Sequence, residues 1–142
     1  MYGASEKNKG DIAEEFFYKY LKRNMSLNNI EYDDIEPQLR RHKKKLNIQG
    51  EYDIVMINGS SLAVIEVKHK GHLNDLKKLK EKMIPTFRLL FPEYKDYTLS
   101  VAFATFFATE EMEDYAQKND IYMIERKGDT VITKNENIIN HW

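Results

Sequence analysis

Two β-rich runs, Glu51-Tyr-Asp-Ile-Val-Met-Ile57 and Leu62-Ala-Val-Ile-Glu-Val-Lys68, flank the turn Asn58-Gly-Ser-Ser61. Apolar and β-branched residues around an Asn-Gly step constrain this stretch to an antiparallel hairpin. With a four-residue loop Ile57 pairs with Leu62, and counting back sets Asp53 opposite Glu66. Side chains alternate along a strand, so Lys68 shares the face of Glu66. A two-residue loop keeps all three on one face, whereas a three-residue loop parts Asp53 from Glu66. On the four-residue count Val55, Ile57, Leu62 and Val64 lie on the acids' face. Tyr52, Ile54, Met56, Ala63, Ile65 and Val67 lie on the other. Both faces are apolar, so the hairpin is expected to be buried on both sides, with three charges at one end.

That placement is costly. Directly opposed residues on adjacent strands have β-carbons roughly 4.5–5.5 Å apart, so the two anions repel. Burying an ion costs several kcal/mol unless it is paired or metal-bound. A cation between Asp53 and Glu66 removes the conflict. With no cysteine in the chain and no clustered histidine, the donors are oxygens, which suit Mg²⁺ or Mn²⁺. Such an ion activates water for attack on phosphorus, and Lys68 is placed to orient or deprotonate that water or to steady charge on the phosphate. The plain alternative is the exposed end of a hairpin with a Glu66–Lys68 or Asp53–Lys68 ion pair. His69, Lys70 and His72 either line a channel or begin a loop, and no third nitrogen or sulfur ligand is spaced to make the histidines a metal site.

Upstream, Ala13, Phe16, Phe17, Tyr20 and Leu21 recur at helical spacing, which predicts an amphipathic helix over 10–24. Residues 25–36 give no firm element. Arg40-Arg-His-Lys-Lys-Lys45 is a basic run at the end of a short strand, either solvated loop or a contact for a phosphate backbone. Leu73, Leu76, Leu79 and Met83 predict a helix over 73–84, kinked or interrupted by Pro85. Residues 97–105 read as a central strand buried on both faces; Phe103, Phe106 and Phe107 are either core, as is usual for apolar residues in a buried strand, or base-stacking. A capped helix follows over 109–118, with Tyr115 packing inward. Short strands at 121–125 and 130–133 flank the turn Lys127-Gly128-Asp129. The order predicts an α/β domain with a mixed central β-sheet flanked by helices, and 1–142 is read as one domain.

Composition bounds the partners. There are 22 basic and 23 acidic residues, for a net charge of −1, so anion binding must come from a local cluster rather than a global field. The N-terminal ten residues lack an apolar signal segment, and no run is long enough to cross a bilayer. The expectation is a cytoplasmic protein with no membrane partner.

Asp53, followed after the hairpin by Glu66-Val67-Lys68, resembles the Asp…Glu-x-Lys signature of the PD-(D/E)XK nuclease superfamily. Gly10-Asp-Ile-Ala-Glu14 resembles the first helix of its archaeal Holliday-junction resolvases, and Ile65-Glu-Val-Lys68 matches their core motif. The stretch from 103 onward is more similar to small uncharacterised nuclease-like families, and Tyr52 stands where the superfamily's proline would be. The resemblance implies a restriction-endonuclease-like core. It also implies Asp53, Glu66 and the Val67 carbonyl as metal ligands, Lys68 as the catalytic lysine, and Glu14 as a supporting acid. It further implies a Mg²⁺ or Mn²⁺ cofactor, a nucleic-acid substrate with DNA first, and a homodimer. Arg40, Arg41, Lys43, Lys44 and Lys70 are the candidate backbone contacts. A binding or regulatory module of the same fold without turnover is the alternative, and an unrelated structural α/β domain the third reading.

Overall fold

The computed structural model of this chain describes residues 6–135 together with Ile138 and Trp142. Its first element, α1 (Glu6–Asn24), begins before the expected residue 10. Ala13, Phe17 and Leu21 are fully buried, one side chain per turn against the sheet. The helix stops where the Asn24 amide donates to the Tyr20 carbonyl at 2.7 Å and Met25 turns to φ 49°. Strands β1 (Ser26–Leu27) and β2 (Ile30–Glu31) then make a small hairpin through Asn28 and Asn29, both left-handed.

The main sheet has six strands in the order β3-β4-β5-β6-β7-β8. They are β3 (Asp34–Lys43), β4 (Ile48–Ile57), β5 (Ser61–Lys70), β6 (Thr98–Phe107), β7 (Tyr122–Lys127) and β8 (Thr130–Lys134). β5, β6 and β7 run parallel, and the outer pairings are antiparallel. The sheet is therefore mixed, as expected. The β5–β6 crossover carries α2 (Leu73–Lys78), a π-helical turn (Leu79–Met83) and α3 (Ile84–Leu90), and α4 (Glu110–Lys118) lies between β6 and β7. One core layer packs α2, α3 and α4 on Val64, Val101, Phe103 and Met123; the other packs α1 on Ala63, Ile65, Ala104 and Ile124. β6, between two parallel neighbours, is buried from Leu99 to Phe106.

The hairpin forms in the expected register, with Ile57 opposite Leu62. Its turn is tied by Asn58, whose Oδ1 accepts the amides of Ser60 (2.8 Å) and Ser61 (2.6 Å) and whose amide donates to the Glu31 carbonyl (2.7 Å). Thr109 caps α4 through its Oγ1, which accepts the Met112 amide at 3.2 Å.

Three expectations need correction. β3 is a ten-residue edge strand rather than a short one, and it takes in Arg40, Arg41 and Lys43, while Lys44 lies in a 3₁₀ turn. Its half-buried positions, Ile35, Leu39, Arg41 and Lys43, mix apolar with basic residues, so the sequence does not mark a strand face, and Pro37 is tolerated because the strand lies at the edge of the sheet. Tyr52 lies in the layer of Val55 and Val64, not with Ile54. The alternation fails at Asp53 because its neighbour across the sheet, Gln38, adopts φ 50° and the pairing skips that step. Pro85 leaves the helix continuous: it sits in the first turn of α3, and the wider π turn before it absorbs the missing donor.

Candidate functional site

The β4–β5 ladder runs from Ile57–Leu62 to Ile54–Ile65 and stops one step short of Asp53 and Glu66. β5 continues parallel to β6, pairing Glu66 with Phe103 and Lys68 with Thr105. The two strands thus part where the charges begin. Into that opening the Asp53 carboxylate turns, and its Oδ2 accepts the Val67 amide at 2.8 Å. From the other layer α1 delivers Glu14, four residues after Gly10. Glu14, Asp53, Glu66, Val67, Lys68 and Lys70 line one open cleft of about 400 Å³, with His69 and His72 on the same wall.

Electrostatics mark the cluster as overcharged. Burial, reinforced by a hydrogen bond with Asp53, raises the Glu14 carboxyl to about 7. Burial, then hydrogen bonding and charge from Glu66, raises Asp53 to about 8. Glu66 is also raised, by burial, with Lys68 opposing the rise. Three acids side by side hold protons that isolated carboxyls shed well below neutral pH. Glu66 Oε1 is buried without a hydrogen-bond partner. That orphaned oxygen fits a hard cation, as does a donor set made only of oxygens. Among the described residues no three acidic or histidine side chains are arranged to hold an ion by themselves. A cation here needs a backbone carbonyl and water to complete its shell, which suits Mg²⁺ or Mn²⁺ and not Zn²⁺.

The basic run is not drawn into this cleft. Arg40 and Arg41 border a separate cleft with Gln49–Glu51. Arg41 is committed elsewhere: it pairs with Glu93 at 2.8 Å, donates to the Leu90 carbonyl at 3.0 Å and covers the Phe91 ring at 4.2 Å. Arg40 is loosely paired with Glu51 at 3.9 Å, Lys43 reaches the Leu89 carbonyl at 3.3 Å, and Lys44 is exposed. Two contributors escaped sequence reasoning. Gln38 hydrogen-bonds Glu14, and Asp11 lines the cleft and adds to the charge on Glu14. Asp11, three residues before Glu14, could have been found from helical spacing; Gln38 carries no signal.

No protein-family model matches the chain, and no curated protein is significantly similar to it. Among solved structures it is similar to Can2 from Sulfobacillus thermosulfidooxidans in complex with cyclic tetra-adenylate, at 18% identity and a TM-score of 0.57. The match covers 82% of this chain and 32% of that one, so the chain spans about a third of the neighbour's length. At that identity the likeness is one of fold.

Proposed function

We propose that the chain is a metal-dependent nuclease of the PD-(D/E)XK type, hydrolysing phosphodiester bonds in nucleic acid, DNA first. The observation that carries this reading is the meeting of Glu14, Asp53, Glu66 and Lys68 in one cleft, with a buried Glu66 oxygen left without a partner. The mixed sheet with helices on both faces is the core that the motif requires. Asp53, Glu66 and the Val67 carbonyl would hold Mg²⁺ or Mn²⁺. When bound, the ion supplies positive charge that polarises a phosphate oxygen and acidifies water. Lys68, exposed beside Glu66, orients the attacking water and balances charge on the phosphate. Glu14, raised to about 7, is suited to take a proton near neutral pH. Lys70 meets the flanking phosphate, and Arg40, Lys43 and Lys44 extend contact along the backbone.

The test is nicking of supercoiled plasmid in Mg²⁺ or Mn²⁺ by the protein and by Lys68→Ala. The reading expects metal-dependent nicking that the substitution removes; no cutting of plasmid or of single-stranded DNA under any divalent metal would overturn it. The neighbour's ligand supports a second reading, a nucleotide- or nucleic-acid-binding module without turnover. That module would retain a shifted band on a gel and never cut.

A further inference from the structure

Behind His69, which lines the cleft, lies an aromatic cluster outside the lining itself, and one of its rings faces solvent. Phe107, the last residue of β6, is 54% exposed. Its ring lies 5.5 Å from that of His69, which lines the cleft. His69 in turn meets Phe106 edge-on at 5.3 Å. Phe106 is held from behind by Phe16 and Phe17 of α1, at 5.2 and 5.4 Å, and by the Arg126 guanidinium 3.9 Å from its ring. The parallel register puts Phe107 beside Lys70, and the Gly71 amide donates to the Phe107 carbonyl at 3.2 Å, so the strand end that presents the ring is fixed.

An apolar ring costs free energy when left in water, and a single exposed ring is common on protein surfaces. This one differs in its surroundings. The exposed ring stands beside Lys70 and against His69, and both of these, with the exposed Lys68, line a cleft that also holds acids. Cations that take phosphates, set against an aromatic face that takes a base, form the pattern by which proteins grip an unpaired strand. In a duplex the base faces are stacked on one another and closed to a protein ring.

We infer that Phe107, braced by His69, stacks on an unpaired nucleobase next to the scissile phosphate, making single-stranded nucleic acid or an unpaired junction strand the preferred substrate class. This rests on the nuclease reading and specifies the substrate of the same cleft. Phe107 is a specificity-determining residue here, with no part in bond cleavage.

The experiment measures binding and cutting separately on one oligonucleotide, single-stranded or annealed to its complement. Binding is read by fluorescence anisotropy in Ca²⁺ with the intact chain, Phe107→Ala and Phe107→Trp. The single strand should bind at least about tenfold more tightly than the duplex, and Phe107→Ala should weaken single-strand binding about tenfold while leaving duplex binding within twofold. Phe107→Trp should bind like the parent, with the emission of the introduced indole quenched by the single strand alone. Equal affinity for the two forms, or Phe107→Ala within twofold of the parent on the single strand, overturns the inference. Cutting is then assayed in Mg²⁺. Single-strand binding that depends on Phe107 but is followed by no cutting supports the platform and sinks the nuclease reading.

Discussion

Lys68 and Glu14 share a cleft but differ in what they can be asked to do. Lys68 is exposed, so removing it should cost little stability. Its ammonium opposes the rise of Glu66 and stands where a phosphate would lie. Lys68→Ala is expected to lower metal-dependent nicking at least about 100-fold while shifting the denaturation midpoint by less than about 0.5 kcal/mol. Plasmid nicking and urea titration on the same preparation check both. Glu14→Gln keeps the helix and the hydrogen-bonding reach but removes the acid, so it should lower cutting with a smaller loss than Lys68→Ala, and Phe107→Ala provides a comparison outside the chemistry. The legibility of these residues follows from geometry. Glu66 and Lys68 could be placed because alternation along β5 and the turn length are read directly from sequence, and Asp53 joins them where the two strands part. Tyr52 could not, since its layer depends on a backbone break at Gln38, whose φ of 50° no residue pattern announces.

At the level of elements, the pieces were readable wherever burial left its mark: a helical stripe in α1 and α2, and nearly unbroken apolar runs in β4, β5 and β6. β3 carries neither, because its half-buried positions Ile35, Leu39, Arg41 and Lys43 mix apolar with basic residues, and it therefore read as a shorter strand than it is. The join between β5 and α2 is the element boundary most sensitive to substitution. A β-carbon on Gly71 would lie 2.8 Å from Cε2 of the fully buried Phe103 ring and 2.5 Å from Cε of Met112. Methionine can yield, but a ring packed between three helices and the sheet cannot. Gly71→Ala is expected to destabilise the protein by about 1–3 kcal/mol, read as a lower urea midpoint with an unchanged slope. Thr109→Ala, which removes the cap of α4, should cost about 1 kcal/mol and leave cutting intact, since no cleft residue lies on that helix.

Across the whole molecule, the unpaid charge of the cleft should appear in the pH dependence of stability. Glu14 and Asp53 are raised to about 7 and about 8, and Glu66 is raised as well. Away from the cleft, burial and then Glu113 raise Glu125 to about 7; it is only 3% exposed. An acid whose folded value lies above its unfolded value leaves the folded chain holding more protons than the unfolded one. Stability from these groups is therefore greatest below the unfolded values, near pH 4, and is lost as pH rises through 7 and 8. Each retained proton tilts stability by about 1.4 kcal/mol per pH unit. Glu15, Glu93 and Glu113 are shifted downward and finish titrating below this window. The metal-free protein should thus melt several degrees higher near pH 5 than at pH 8. Mg²⁺ should flatten the part owed to the cleft, because an ion at Asp53 and Glu66 replaces the protons and binds only the folded form. Glu125→Gln should remove the part that Mg²⁺ leaves untouched, and Asp53→Asn should remove most of the response to Mg²⁺. Melting curves from pH 5 to 8, with and without 10 mM (on the order of a saturating concentration) Mg²⁺, separate the two. A metal-free melting temperature that stays level across this range would mean that the acids do not share their protons. A sloping curve that ignores Mg²⁺ would mean that they share them but do not offer the ion a site.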